Sequence, residues 1–231
     1  MTEKFLQLQP RLRLLAELVP AGARLVDVGT DHGYLPVWLI QQKRIAEAIA
    51  SDVGREPLQH AQRTAQEYDV AGVDFRLCDG LQDISPEEVD TVVIAGMGGQ
   101  TIMHILEEAP WTKNGSLLLL QPMTKPELLR VWLTENGYTI ERERLVWDKD
   151  YIYPVFLVRG GVREELTLAE EYGGIGLEDD PLFKAHLDQR IHSLTRAIEG
   201  LRRAEHGGNQ KKQQQLEEIR AALLEKRGML R

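Results

Sequence analysis

Apolar positions along this chain repeat with two alternating periods. Phe5, Leu8, Leu12, Leu15, Leu18 and Val19 keep a helical period and predict a helix over residues 3–19, closed by Pro20-Ala21-Gly22. Short apolar runs of strand length follow at 25–28, 45–50, 73–78, 90–95 and 116–120. Helical patterns separate them at 33–43, 57–68, 100–108 and 126–136. The run at 90–95 is apolar after its first residue, as a strand covered on both faces must be. Two longer runs, 138–147 and 151–159, are joined only by Asp148-Lys149-Asp150, a link so short that they must lie antiparallel. The pattern predicts an α/β domain over residues 1–160, with five parallel strands and a terminal hairpin.

Beyond it the period changes. Residues 160–180 are glycine-rich and acidic and read as a hinge or linker. Phe183, Leu187, Ile191, Leu194, Ile198 and Leu201 then step by 4, 4, 3, 4 and 3, a coiled-coil seam. His206-Gly207-Gly208-Asn209 interrupts it, and Leu216, Ile219 and Leu223 resume it. A second unit over 161–231, an α-helical coiled-coil hairpin, is the expectation.

Candidate chemistry concentrates where the first strand ends. Leu25-Val26-Asp27-Val28 runs into Gly29-Thr30-Asp31-His32-Gly33 and then into a helix opened by Tyr34-Leu35-Pro36. Proline is tolerated there because the first helical turn does not use its amide. Strand, glycine loop and helix N-terminus form a cradle for a nucleotide-type cofactor. A dinucleotide loop reads G-x-G-x-x-G, and this spacing differs. Asp27 and Asp31 would also repel a pyrophosphate, by about 1 kcal/mol per pair even in a watery setting. The same acids suit a cofactor that carries an ammonium and a sulfonium, S-adenosylmethionine (SAM). Acids that merely cap a helix are the plainer reading of the same residues.

The following strand tips extend the pattern. Asp52 stands 25 residues after Asp27 at the next strand end, where a carboxylate can accept from both ribose hydroxyls. Asp79-Gly80 closes the third strand and suits an adenine amino group, although Asp-Gly is also a common turn. Ala95-Gly96-Met97-Gly98-Gly99 follows the fourth strand and marks a floor where a ligand lies close to the backbone. The cofactor residues expected are therefore Asp27, Gly29, Thr30, Gly33, Asp52, Asp79, Gly80, Ala95, Gly96 and Met97.

Composition bounds the picture. The chain has 231 residues, enough for one sizeable core and an appendage. No apolar run reaches membrane-spanning length, and the N-terminus lacks a signal-peptide layout, so the cytoplasm is the default. The single cysteine, Cys78, excludes an internal disulfide and a cysteine-based zinc site, and no metal is expected. The net charge of −8 argues against nucleic acid until it is divided along the chain. Residues 1–160 hold 16 Lys and Arg against 23 acids, and 161–180 hold one against seven. Residues 181–231 reverse the sign, with 11 against six. A basic arm on an acidic domain fits RNA as well as it fits solvated coiled-coil flanks or a dimerisation arm.

The blocks Asp27-Val28-Gly29-Thr30-Asp31-His32-Gly33-Tyr34-Leu35-Pro36, Asp79-Gly80-Leu81, Ala95-Gly96-Met97-Gly98-Gly99 and Leu120-Gln121-Pro122 resemble those of the bacterial tRNA (adenine(22)-N1)-methyltransferases. The resemblance covers nearly the whole chain. It implies a Rossmann-like class I SAM-dependent methyltransferase sheet, with tRNA as partner, no membrane association and no obligate protein partner. The expected reaction is in-line methyl transfer to N1 of adenosine 22, swung out of its stack. Asp31 is the catalytic candidate, as stabiliser of the cationic product or acceptor of an adenine amino proton, unless it only holds the SAM ammonium. Gln121, Pro122 and Tyr153 are base-pocket candidates. Arg11, Arg196, Arg202, Arg203, Lys211 and Lys212 are candidate RNA contacts. The family often places asparagine after Gln-Pro, where this chain has Met123. Two alternatives stay open: a small-molecule methyltransferase with a coiled-coil dimerisation arm, and a non-catalytic SAM-binding RNA adaptor.

Overall fold

A computed structural model describes residues 5–162, 165–203 and 210–230. In chain order its elements are α1 (Pro10–Leu18), β1 (Leu25–Val28), α2 (Tyr34–Gln41), β2 (Ala48–Asp52), α3 (Arg55–Glu67) and β3 (Val73–Leu77). Then come β4 (Thr91–Gly98), α4 (Gly99–Glu108), β5 (Leu117–Thr124), α5 (Pro126–Glu135), β6 (Tyr138–Asp148) and β7 (Tyr151–Gly160). The chain closes with α6 (Leu168–Gly173), α7 (Phe183–Arg203) and α8 (Gln210–Met229). The strands make one sheet in the order β3-β2-β1-β4-β5-β7-β6. The first five are parallel, and the β6/β7 hairpin adds antiparallel beside β5.

Strand alternation explains the layers. Val92, Ile94, Leu118 and Leu120 join Ile102 and Leu106 of α4 and Leu129 and Leu133 of α5 on one face. Their neighbours Val93, Leu117 and Leu119 join Leu14 and Leu15 of α1 and Leu35 and Leu39 of α2 on the other. Successive side chains of a strand point to opposite faces, so central strands covered by helices on both sides must be apolar throughout. The carboxyl ends of the parallel strands are left open, and the strand order reverses between β1 and β4, the position where open α/β sheets take their ligands.

Three expectations change. The first helix begins at Pro10, not at residue 3, with Gln9 in extended conformation as its N-cap. A residue before proline is pushed out of the helical region, so the apolar period ahead of it belongs to extended chain. Leu6 is still buried there, its amide donating to the Gln41 side chain at 3.0 Å. The acidic stretch expected as a linker instead carries α6, opened by a capping box between Thr167 and Glu170. It is fastened to the sheet domain by a fully buried ion pair. Arg130 of α5 donates twice to Glu143 of β6, at 2.8 Å each, and both side chains are wholly inaccessible. The remaining polar valences reach the linker: Arg130 donates to the Glu171 carbonyl at 2.8 Å, and the Ile175 amide donates to Glu143 at 3.0 Å.

The third change concerns the seam. Phe183 and Leu187 pack with Leu145 and Ile152 of the hairpin as well as with Leu177 and Leu223, so the root of α7 is part of the domain's own core. Farther out, Ile198 and Ile219 are buried while Ile191, Leu194, Leu201 and Leu216 are half-covered. Ion pairs Arg202–Glu217 and Arg227–Asp188 at opposite ends show that α7 and α8 run antiparallel. The predicted break at 206–209 lies outside the described residues. No helix among the described residues is long and apolar enough to cross a membrane.

Removing one member of a fully desolvated pair strands the other, at about 3–5 kcal/mol. Glu143→Ala is therefore expected to lower the urea midpoint by that equivalent, whereas Arg202→Ala, at an exposed pair, changes stability by less than about 1 kcal/mol. Equilibrium urea unfolding of the two variants checks the contrast.

Candidate active site

Four carboxylates gather at the open strand ends. Asp27 is near the end of β1, Asp52 ends β2, Asp79 follows β3, and Asp31 lies in the loop after β1. The loop is stitched to β2, because the amides of Gly29 and Thr30 both donate to the Ser51 carbonyl, at 2.8 and 3.0 Å. Asp52 is oriented from two sides, accepting from the Gly54 amide at 2.8 Å and the Asp31 amide at 3.4 Å. Asp31 itself takes a left-handed conformation with φ of 51°, and its side chain is two-thirds exposed. Of these four acids only Asp27 is buried. Burial pushes its carboxyl up to about 6; the hydrogen bond from Thr30 opposes the rise and the Asp52 charge adds to it.

Glycine matters at two points. Gly29 has φ of +69°, and a Cβ there would lie 2.1 Å from the Met97 methyl carbon. Met97 thus packs directly on the loop backbone. Gly96 has φ of +76°, and a Cβ there would meet nothing within 4 Å, so its open face looks into free space at the strand ends. Gly96 also interrupts the sheet: Ala95 pairs with Gln121 and Met97 with Pro122, leaving Gly96 as a bulge. Pro122 has no amide to give the ladder there.

The expected site residues divide accordingly. Asp27, Gly29, Thr30, Gly33, Asp52, Asp79, Gly80, Ala95, Gly96 and Met97 all lie in β1, β2, β4 or the loops that leave the parallel strands. The Thr30 hydroxyl donates to Asp27 at 2.7 Å, so its one proton is spent on that acid. Gln121 does not present its amide to a base pocket. It is fully buried, its oxygen accepts from the Gly96 amide and its nitrogen donates to the Pro122 carbonyl, both at 3.1 Å. Arg11 is not an outward phosphate ligand either. It ion-pairs with Asp148, donates to Gln121 at 3.1 Å and lies over the Tyr153 ring at 5.4 Å. The two corrections are both tertiary: the β6/β7 hairpin folds back over Arg11 of α1, and the bulge of β4 takes up the Gln121 side chain, placements that no local pattern shows.

Pro122 and Tyr153 line a groove of about 990 Å³ with Met123, Trp147, Arg190 and Arg196. It opens because the β5–β7 ladder holds only at Leu118–Leu120 with Phe156–Val158, so the two strands part beyond Leu120. Arg196 borders this groove, while Arg202 is paired with Glu217 and Arg203 lies 3.8 Å from Glu199. Lys211 and Lys212 are exposed on α8. The sequence reading also missed a ring stack. His32 lies between Tyr34 and His60, at 5.1 and 5.0 Å, with planes within 8° of parallel. Asp31, His32 and His60 offer ligand atoms within 4.8 Å of one another. Nearly parallel imidazoles keep their lone pairs in parallel planes, so these do not converge on one ion without rotating. His60 enters from α3 with no motif to announce it.

The Methyltransferase domain family matches residues 8–156. The tRNA (adenine(22)-N(1))-methyltransferase of Bacillus subtilis is 33% identical over 174 residues, 74% of this chain and 71% of that protein. The crystal structure of the B. subtilis m1A22 tRNA methyltransferase TrmK superposes with a TM-score of 0.85 at 28% identity, covering 95% of this chain and 98% of that one. A Streptococcus pneumoniae structure in complex with S-adenosyl-L-methionine gives 0.80 at 31% identity, covering 93% and 97%.

Gly29→Ala would place a side chain in a left-handed position against Met97. The conformation alone costs roughly 1–2 kcal/mol. A melting comparison should show at least that loss, and Gly22→Ala, equally left-handed but with open space around it, should lose less.

Proposed function

This chain belongs to the tRNA (adenine(22)-N1)-methyltransferase family, and from that membership we propose that it methylates N1 of adenosine 22 in tRNA with SAM as donor. The observation that carries the reading is the set of carboxylates at the strand tips around the open backbone of Gly96. SAM, when bound, supplies an electrophilic methyl on a positively charged sulfur. The site fits it: the acids match an ammonium and a sulfonium, and the missing Cβ at Gly96 leaves room at the floor.

In this reading Asp27, Gly29 and Gly33 surround the methionine end, Thr30 orients Asp27, Asp52 takes the ribose hydroxyls, and Asp79 with Gly80 takes the adenine. Ala95, Gly96 and Met97 form the floor. N1 of adenine has a free lone pair, so the protein needs to align it more than to activate it. The base must leave its stack to reach the strand tips, and the groove beside Pro122 and Tyr153 is the approach. Methylation leaves the base cationic. The exposed Asp31 carboxylate is the group offered to that charge. Residues 1–160 form the catalytic domain and 161–231 the arm that holds tRNA, with Arg196, Arg203, Lys211 and Lys212 supplying phosphate contacts.

The deciding experiment is transfer of labelled methyl from SAM to unmodified tRNA, mapped by reverse transcription. A stop at adenosine 22, lost when that base is guanosine, is the expected result; incorporation elsewhere overturns the site assignment. Asp31→Ala should lower kcat far more than SAM affinity. A selective loss of SAM binding would make Asp31 a cofactor ligand only.

Asp27 gives a pH signature. Below pH about 6 the buried carboxyl of the ligand-free protein holds a proton and offers no charge to an ammonium. SAM affinity should therefore climb with pH, by at most about tenfold per unit, and level off above 6. The Asp27 contribution to ligand-free stability should move the other way, falling between pH 3.8 and about 6, because this carboxyl ionises first in the unfolded chain. Calorimetric titration of SAM at several pH values reads the first trend, and Asp27→Asn should flatten it.

A further inference from the structure

Gly96 is the one residue of the β4 end that the sheet does not hold. Its neighbours pair with Gln121 and Pro122, and its own amide donates instead to the Gln121 side chain at 3.1 Å. That side chain is fully buried, and a primary amide can be turned end for end unless its partners distinguish oxygen from nitrogen. The Gly96 amide and the Pro122 carbonyl already make that distinction, and Arg11 reinforces it: its Nη1 donates to the same oxygen at 3.1 Å, and a guanidinium, which has donors only, cannot face the amide nitrogen. Nη1 also lies 3.1 Å from the Met123 sulfur, and Nε is fixed by Asp148 at the end of β6. The guanidinium is covered on one side by the Tyr153 ring.

We propose that Arg11 is a positioning residue for methyl transfer: held by Asp148, it locks Gln121 so that Gln121 fixes the Gly96 bulge beneath the reacting groups. The inference rests on the function proposed above and assigns Arg11 a role inside the protein rather than on the RNA. It connects α1, the hairpin and the floor through a single file of hydrogen bonds, Asp148 to Arg11 to Gln121 to Gly96. Charge makes the file strong, since bonds to ionised partners are about twice as strong as neutral ones. A floor that shifts by a fraction of an ångström misaligns donor and acceptor, which is felt in turnover before it is felt in binding.

The test uses the full chain and five variants. Arg11→Met, which keeps length and removes all donors, is expected to lower kcat roughly 10- to 100-fold, the equivalent of one buried charged hydrogen bond. SAM dissociation constant and tRNA KM should stay within about threefold. Arg11→Lys should recover part of kcat. Gln121→Leu should match Arg11→Met, and the double variant should be no worse than Gln121→Leu alone, as expected for residues acting in series. Glycine-selective ¹⁵N labelling gives a readout independent of catalysis: amide exchange at Gly96 should quicken in both single variants. If Arg11→Met fails to fold, Asp148→Asn, which leaves Arg11 an acceptor while removing the charge, should show a weaker form of the same changes. The proposal is overturned if Arg11→Met raises tRNA KM and flattens its salt dependence with kcat unchanged, the mark of a phosphate ligand. Unaltered Gly96 exchange in the variants overturns it too. Failure of the wild-type protein to methylate tRNA would instead overturn the function proposed above, leaving the Gly96 measurement to decide this one.

Discussion

A carboxyl group held out of water at the tip of the strand flanked by β2 and β4 is the constraint around which the rest is arranged. Asp27 is costly to ionise where it stands. The Thr30 hydroxyl relieves part of that cost, and the loop between them is pinned by two amides on Ser51 so that the hydroxyl stays in reach. Asp52 lies near enough to oppose ionisation. Asp27 is thus under an electrostatic tension that a cationic ligand would relieve, because the acids that would define such a ligand's charge also oppose one another's ionisation. In the folding of the chain this is a penalty accepted for function, of the kind that clusters at active sites.

Much of this was legible in the sequence, and the reason differs by element. The parallel strands were visible because strands covered on both faces must be apolar throughout; Thr91 to Ile94 is buried residue by residue. The strand-tip acids were visible because the order of elements fixes where each tip lies. The loop Gly29 to Gly33 carried its own signature in spacing and charge. What stayed hidden was tertiary. Arg11 reads as an exposed arginine on an amphipathic helix until the hairpin closes over it. Gln121 reads as a base contact because nothing local shows that its amide is consumed by Gly96 and Pro122. The partnership of His32 with His60 joins α2's entrance to α3 across a stretch with no recurring pattern.

The stretch 160–180 misled for another reason. Glycine and acid in quantity describe a solvated linker, and composition averages over the few residues that are inside. Ile175 and Leu177 are buried, and Arg130 and Glu143 come from a different part of the chain to meet the backbone at Glu171 and Ile175. A buried ion pair is weak evidence for stability, since its desolvation offsets much of its attraction. It is better evidence for geometry. Two directed hydrogen bonds hold Arg130 to Glu143, and two more, to the Glu171 carbonyl and from the Ile175 amide, fix where α6 sits on α5 and β6.

That placement turns the C-terminal helices into a lever. α7 has 21 residues, about 31 Å at 1.5 Å per residue, and its root shares a core with the sheet domain through Phe183 and Leu187. A lever magnifies any play at its fulcrum, so a cavity opened at the root would displace the far end of α7 by much more than it displaces the sheet.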